Sequence, residues 1–416
     1  MVARDARAGV PESGRHVLII VQNLPVPFDR RVWLECRALK DAGYEVSVVC
    51  PKGAGDPSYE LHEEVHLYKY PLFAGKGGSL DFLVEYVYSF LWTAALVLRS
   101  SRRRRVDALQ ACNPPDIFWP IGLVFRALGR PYVFDHHDLC PELYESRFER
   151  RGVAYFGLRA LEWCTFTTAT RVVSTNNSYR DVAIERGHKS PADVTIVRTG
   201  PDPSRLKRGA EDALLRRGRR YLAAYIGVMG PQDGVDVIIR AASVIVKDWG
   251  RTDVSFALMG SGDSFDDLVA LRDELGLGDY VEMMGRVPDE TVVSVLSTAD
   301  VGLSPDRKNP LNDLSTMNKT MEYMAFSLPT VAFDLRETRV SAGDSAVYAE
   351  PNEVESYARE LISLLDDEPR RKAMGAAGRE RIENELAWDH QRGSYVAVYD
   401  SLLRRQGSLR SSSGGD

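Results

Sequence analysis

Short apolar, β-branched runs recur along the chain with longer helical stretches between them, and the series occurs twice. In the first series His16–Val21 (HVLIIV), Glu45–Cys50, Asp107–Gln110, Tyr132–Asp135 and Arg171–Ser174 read as buried strands. Between them Arg30–Ala42, Leu80–Arg99, Ile117–Leu128 and Tyr155–Thr167 carry helical periodicity. A strand that is apolar at almost every position needs cover on both faces, and helical crossovers supply that cover over a parallel sheet. The series breaks in the polar, turn-rich stretch Thr199–Arg219 and then restarts. Strands are expected at Tyr221–Ile226, Val254–Met259, Tyr280–Met284, Val301–Leu303 and Thr330–Phe333. Helices are expected at Val235–Val246, Phe265–Leu275, Glu290–Leu296 and Met317–Phe326. The fold class is therefore α/β, with two doubly wound parallel-sheet domains in tandem. Their expected bounds are residues 15–200 and 201–385. Residues 386–405 hold a long amphipathic helix with Tyr395, Val398, Tyr399 and Leu402 on one face. Residues 1–14 and the Ser/Gly-rich 406–416 read as disordered ends.

Charge and cysteine usage narrow the function classes. The 53 basic and 59 acidic residues leave a net charge of −6, which excludes a bulk nucleic-acid binder. Cys36, Cys50, Cys112, Cys140 and Cys164 are odd in number and form no C-x-x-C pair, which fits reduced thiols in a cytosolic protein. No apolar run near the start resembles a secretory signal. Leu83–Leu98 is shorter than a membrane span and contains Glu85. A cytoplasmic location follows, with one segment that could meet a membrane surface. Leu80–Arg105 carries Phe82, Tyr86, Phe90, Trp92 and Leu96, then four consecutive arginines, Arg102–Arg105. An interfacial anchor for an anionic membrane needs those features. The alternative is that the apolar face packs on the sheet and the arginines form a solvated turn.

In open α/β sheets, ligands bind in the loops beyond the strand carboxyl ends. The richest such loop precedes Met317–Phe326. Ser315 and Thr316 are good helix N-caps, and a helix N-terminus favours phosphate. Lys319 lies in the first turn, in a chain with only 10 lysines against 43 arginines. Glu322 shares its face by i,i+3 spacing and could accept ribose hydroxyls. An ordinary capped helix with a surface Lys–Glu pair is the competing reading. His136-His137-Asp138 follows the Tyr132 strand, but neighbours on extended chain point opposite ways, so a shared metal is not expected. Asn113-Pro114-Pro115-Asp116 reads first as a helix start, with Asn113 as a cap; Asn113 and Asp116 are also candidate acceptor contacts. Asp29 and Arg30 open the first helix in the equivalent place. Gly260-Ser261-Gly262 fails the dinucleotide fingerprint because Phe265 stands at the third glycine.

Several of these segments, in order, resemble family 4 of the retaining glycosyltransferases, which have the two-domain GT-B fold. The run Lys319-x-x-Glu322-Tyr323-x-Ala325 with Pro329-Thr330-Val331 carries the resemblance most strongly. Val21–Pro51, Val133–Glu142, Val194–Asp202 and the helix opening at Trp388 add to it. The resemblance spans residues 16 to 404. It implies Rossmann-like domains facing across a cleft, the C-terminal helix returning to the first domain, and a nucleotide-sugar donor, UDP- or GDP-linked, held by the second domain. It also implies an acceptor held by the first domain, no resident cofactor, and no metal. Glu322 matches the second glutamate of the family's E-x7-E motif, which holds the donor ribose. Ser315, Thr316 and Asn318 match the stretch approaching diphosphate and sugar, and Arg286 and Val287 the turn at the nucleobase. Gly227 and Gly230 lie in the first loop of the donor domain. His137 matches the histidine facing the donor sugar. Asp29, Arg30, Asn113, Asp116 and Glu142 fall on the acceptor side.

The departures concern charge. Leu314 stands at the first glutamate of E-x7-E, with Asp313 beside it as a substitute. The family's Arg and Lys after the first donor-domain strand are replaced by Val228 and Asp233. A departing nucleoside diphosphate needs positive charge, and Lys319 is the first candidate to supply it, ahead of Arg307, Lys308, Arg198 and Arg30. Pro25 and Pro27 replace the usual Gly-rich acceptor loop. The expected activity is front-side sugar transfer to a hydroxyl acceptor, a lipid-linked or cell-envelope saccharide. A non-catalytic binding protein and a sugar-nucleotide epimerase are the alternatives.

Overall fold

The computed structural model describes residues 14–73 and 79–411. The expected disordered start, as far as residue 13, and the tail beyond 411 lie outside the described residues, as does the side chain of Phe82. The chain divides into two compact units. Met1–Glu145, Arg150–Arg198 and Gln391–Asp416 form the first; Ser146–Glu149 and Thr199–His390 form the second.

The first unit holds β1 (His16–Ile20), β2 (Glu45–Pro51), β3 (Tyr59–His62), β4 (Val65–Tyr70), β5 (Ala108–Cys112), β6 (Tyr132–His136), β7 (Arg171–Ser174) and β8 (Val194–Ile196). Their order across the sheet is β3-β4-β2-β1-β5-β6-β7-β8, parallel throughout except for β3 on β4. β1, β5 and β6 are buried at every position, and the apolar run of β1 is interrupted in β5 by Gln110 and in β6 by Asp135 and His136. The crossovers from β4 to β5, β5 to β6 and β6 to β7 all step the same way across the sheet. Right-handed connection therefore lays helices Ser79–Arg103, Trp119–Ala127 and Val153–Thr168 on one face. Leu96, Phe118, Phe125, Phe134 and Phe166 fill the core beneath them. The step from β1 to β2 runs the other way and puts helix Arg30–Asp41 on the opposite face. The helix Trp388–Ser411 belongs to that face: Tyr395 donates to Gln110 Oε1 at 2.7 Å, and Tyr44 donates to Asp400 Oδ1 at 2.6 Å. It continues past residue 405, and Leu403 rather than Leu402 completes its buried stripe with Tyr395, Val398 and Tyr399.

The second unit holds β9 (Tyr221–Ile226), β10 (Val254–Met259), β11 (Val281–Gly285), β12 (Val301–Ser304), β13 (Thr330–Phe333) and β14 (Ala346–Ala349). They are all parallel, in the order β11-β10-β9-β12-β13-β14. This is the doubly wound order whose direction reverses between the first and fourth strands, here β9 and β12. Helices Val235–Ser243, Phe265–Glu274, Asp289–Thr298, Asn318–Ala325 and Val354–Asp366 cover it. Among the described residues no helix is long and apolar enough to cross a membrane.

Candidate functional site

The loops after β9 and β12 part at the reversal point of the second sheet, and Lys319 lies between them. Its ammonium donates to Asp306 Oδ1 at 2.5 Å and stands 5.4 Å from the centre of the Tyr225 ring. A Cβ on Gly227 would fall 2.9 Å from Tyr225 Oη and 3.2 Å from Lys319 Cε, so glycine lets the backbone lie against both side chains. Burial alone would lower the lysine pKa; the Asp306 and Asp233 carboxylates outweigh it and hold the ammonium above its ordinary value. Asp233 is itself raised, first by burial, with Lys319 acting against that rise. It also ties its own turn, accepting from the Gly230 N–H at 2.9 Å. Thus Asp233 does not stand idle where the family has a lysine. It shares Lys319 with Asp306.

Three glycine loops are stitched beside this centre. Gly227 N–H donates to Met259 O at 3.1 Å, Met229 N–H to Ser261 O at 3.1 Å and Gly260 N–H to Gly285 O at 2.8 Å. Arg286, next in chain, is exposed, and Val287 packs partly buried beside Leu296 and Val292. Val228 is 62% exposed, so the side chain standing in place of the family arginine faces outward.

The expected cap residues do not cap. Helix Asn318–Ala325 starts after Met317, with no side-chain bond at its N-cap. Ser315 Oγ instead donates to Leu311 O at 2.7 Å, because residues 309–315 close turns of their own: Asn312 N–H reaches Asn309 Oδ1 at 2.8 Å. The helix therefore begins with Asn318 exposed and its first-turn N–H groups uncapped by side chains. Thr316 lies two residues before the helix. Glu322 is half-buried one turn beyond Lys319. Asp313 accepts from the Arg336 N–H at 3.0 Å and so ties down the start of helix Arg336–Ala342. The weaker cation candidates have partners too: Arg307 pairs with Asp236 at 2.6 Å, and Lys308 donates to Asp334 O at 3.3 Å.

In the first unit, His136 and His137 point opposite ways, as extended chain requires. His136 is buried among Phe134, Phe166 and Tyr179, and burial pushes its pKa down to about 3, so it is a neutral core residue. His137 Nδ1 is 3.0 Å from Asp135 Oδ2. Burial would lower its pKa, but Asp135 outweighs that and raises it. Arg31 grips the same carboxylate with two bonds, Nε to Oδ2 at 3.0 Å and Nη2 to Oδ1 at 2.6 Å, and reaches Val197 O at 3.1 Å. Beside Arg31 and His137, Asp135 stays well below the usual carboxylate range although burial opposes it. Glu35 is pushed well up, first by burial and then by Asp135, with Arg31 Nε 3.3 Å away acting against that rise. Glu35, Cys112 and Asp135 bring possible metal ligands within 4.8 Å of one another. The Arg31 fork already supplies the charge that a cation would bring there.

The acceptor-side candidates prove more structural than exposed. Asp29 caps helix Arg30–Asp41 through Val32 N–H at 3.0 Å. Asn113 caps nothing, since the next helix starts at Trp119; it accepts from His137 N–H at 2.9 Å and Asp138 N–H at 3.1 Å, fixing the His137 loop. Asp116 is buried, and that burial raises its pKa to about 7. Glu142 accepts from both ends of the Arg186 fork, with Nη2 to Oε2 at 3.1 Å. Arg30 is exposed at the head of its helix. Sequence reasoning missed Asp306, Tyr225, Arg31 and Asp135. Asp135 was within reach, since residues two apart on a strand share a face with His137.

Two family models match the chain: "Glycosyl transferase 4-like domain" over residues 29–200 and "Glycosyl transferases group 1" over residues 220–367. A D-inositol 3-phosphate glycosyltransferase from Thermobispora bispora is 25% identical over 393 residues, 89% of this chain and 88% of that one. One of the same name from Corynebacterium aurimucosum is 28% identical over 231 residues, with just 53% of its length matched. Sucrose-phosphate synthase from Thermosynechococcus elongatus superposes with a TM-score of 0.76 at 16% identity, covering 94% of this chain and all of that one. Anabaena HepE, solved with UDP and glucose, superposes with a TM-score of 0.68 at 15% identity, covering 95% of this chain. With both halves of the chain matched in order and the same fold recovered, the chain belongs to the group 1 glycosyltransferases of family 4 and has their GT-B fold.

Proposed function

We propose that the protein moves a sugar from a UDP- or GDP-linked donor to a hydroxyl acceptor, with retention of anomeric configuration and without a metal. The observation that carries this reading is Lys319, set at the reversal point of the second sheet beside a helix N-terminus with no side-chain cap. The diphosphate binds there, held by the ammonium and the first-turn N–H groups. Glu322 holds the ribose, and His137 orients the donor sugar. The leaving phosphate oxygen takes the acceptor proton, so the protein supplies position and charge rather than a strong base. The acceptor is a lipid-linked or growing envelope saccharide. Helix Ser79–Arg103 makes peripheral contact with an anionic membrane from the cytoplasmic side.

One observation favours a second reading, a non-catalytic sugar-nucleotide binder. Lys319 is already flanked by Asp306 and Asp233, so the diphosphate meets less net positive charge than the family pattern provides. Titration calorimetry with UDP- and GDP-sugars, then product analysis in EDTA, separates the two. Glu322→Ala is expected to weaken donor binding by about 1–3 kcal/mol. Unchanged affinity removes Glu322 from the site. Tight donor binding with no product across an acceptor panel supports the second reading.

A further inference from the structure

Two acids share one lysine at the reversal point of the second sheet, and their bonding separates them. Asp306 is 1% exposed and both of its oxygens are engaged. Oδ1 accepts from the Lys319 ammonium at 2.5 Å, and Oδ2 accepts from the Ser304 hydroxyl at 2.7 Å. Thr320 Oγ1 donates to Ser304 Oγ at 3.3 Å, so the chain of bonds behind Asp306 runs through buried side chains. Asp306 is therefore the committed partner of the lysine. Asp233 differs on each count. It is half-buried, and its Oδ2 accepts only from neutral donors, the Gly230 N–H at 2.9 Å and the Gln232 amide at 3.2 Å. Its hold on Lys319 acts through space. A Cβ at Gly234 would fall 2.2 Å from Pro305 O, so the backbone after Asp233 lies against the backbone before Asp306.

The other charges around Asp233 are already matched. Arg307, whose stem would lie 3.4 Å from a Cβ at Gly234, pairs with Asp236 at 2.6 Å. Arg147 pairs with Asp263 at 2.5 Å, and the Tyr225 hydroxyl donates to Val228 O at 2.6 Å. That leaves two carboxylates and one ammonium where an anionic diphosphate is read to bind. Burial already raises the Asp233 pKa, Asp306 adds to the rise, and Lys319 is the first influence against it. A diphosphate that draws on Lys319 weakens that opposition and brings further negative charge beside the acid.

We propose that Asp233 takes up a proton when the donor diphosphate binds and then donates a hydrogen bond to it. The acid thus stands in for the family's lysine by carrying a proton rather than a charge. The proton comes from solvent and sits on Oδ1, which leaves both bonds at Oδ2 in place. Protonation also removes one of the two anions competing for Lys319. The inference rests on the reading that the diphosphate binds at Lys319. It adds how a site without the family's arginine and lysine tolerates the charge of its ligand.

The test is titration calorimetry of the full chain with UDP-glucose and GDP-mannose, in two buffers of different ionisation heat, from about pH 5.5 to 8.5. Both phosphates of these ligands are diesters, so the ligand takes up no proton in this window. Asp233→Asn keeps an acceptor for the Gly230 N–H and presents an N–H donor without charge. The parent should take up close to one proton more than this variant. Its affinity should fall by up to about tenfold per pH unit as pH rises, because binding that takes up a proton weakens as protons become scarce. The variant should have a flatter profile and bind more tightly than the parent at the alkaline end. His137, read to face the donor sugar, is a second titrating group, so the difference between parent and variant assigns the proton. Binding by the parent with no uptake overturns the proposal whether or not the variant folds, and leaves the diphosphate reading standing. Uptake undiminished in Asp233→Asn does the same. No binding of either ligand by either protein at any pH overturns the diphosphate reading, and the proposal with it.

Discussion

Burial opposes charge on a histidine or a lysine unless an acid stands beside it, and His137 and Lys319 each have one. Asp135 holds His137 and Asp306 holds Lys319. The His137 pair has a pH signature. Its folded pKa is raised above the unfolded value of about 6.5. Its stabilisation is therefore complete below that value and is lost as pH rises through the folded value. Asp135 is depressed far enough to stay ionised across this window and adds no slope of its own. His137→Gln is expected to cost about 1–3 kcal/mol at pH 6, as for a hydrogen bond between charged groups, and less at pH 9. Urea unfolding at the two pH values checks this; an equal cost at both would mean that His137 is neutral in the folded protein. At this scale the sequence singles out Lys319 and His137 but not the acids beside them. Lys319 stood out because lysine is scarce and the motif around it is dense. Asp306 and Asp233 come from two other loops, and no spacing rule joins residues 233, 306 and 319. The cap was misplaced for a similar reason: Ser315 is a good cap by type, but its hydroxyl is taken by Leu311 O.

Between elements, the tightest constraint is the stitching of the loops after β9 and β10. Gly260 has φ +144°, and a Cβ there would fall 1.8 Å from Gly227 O. Gly260→Ala must push the two loops apart and should cost on the order of 2–4 kcal/mol, with weaker donor binding as Gly227 moves from Lys319. Gly278→Ala meets nothing within 4 Å and should be close to neutral. Thermal melts and donor titrations of the pair give the comparison; a benign Gly260→Ala would show that the loops yield easily. The same physics decides which elements were legible. Strands buried on both faces, such as β1 and β10, announce themselves as mainly apolar runs. The edge strand β3 (YELH) is buried nowhere and looks like a loop. β8 is three residues long, too short for any period to register. Helix Val354–Asp366 does carry a clear stripe, Tyr357, Ala358, Leu361, Leu364 and Leu365, that the strand-by-strand reading passed over.

Over the whole molecule, the first unit is built from both ends of the chain. Gln110 at the centre of its sheet accepts from Tyr395 and Tyr399 and donates to Glu35 at 2.7 Å. Tyr395→Phe with Tyr399→Phe would leave the Gln110 oxygen buried without a donor, at a cost of about 1–3 kcal/mol. Hydrogen exchange should then quicken in β1 and β5 and stay unchanged in β9 and β12; equal loss in both sheets would mean that the two units unfold as one. The second unit is, topologically, an insertion. Its last residue leaves the ribosome before the helix that completes the first unit has been made. During synthesis the order of completion is thus inverted: the later-encoded sheet can close while the earlier one waits with Gln110 and Glu35 uncovered. Those two polar side chains would keep that waiting face wetted, while the opposite face is already covered by helices encoded before the second unit.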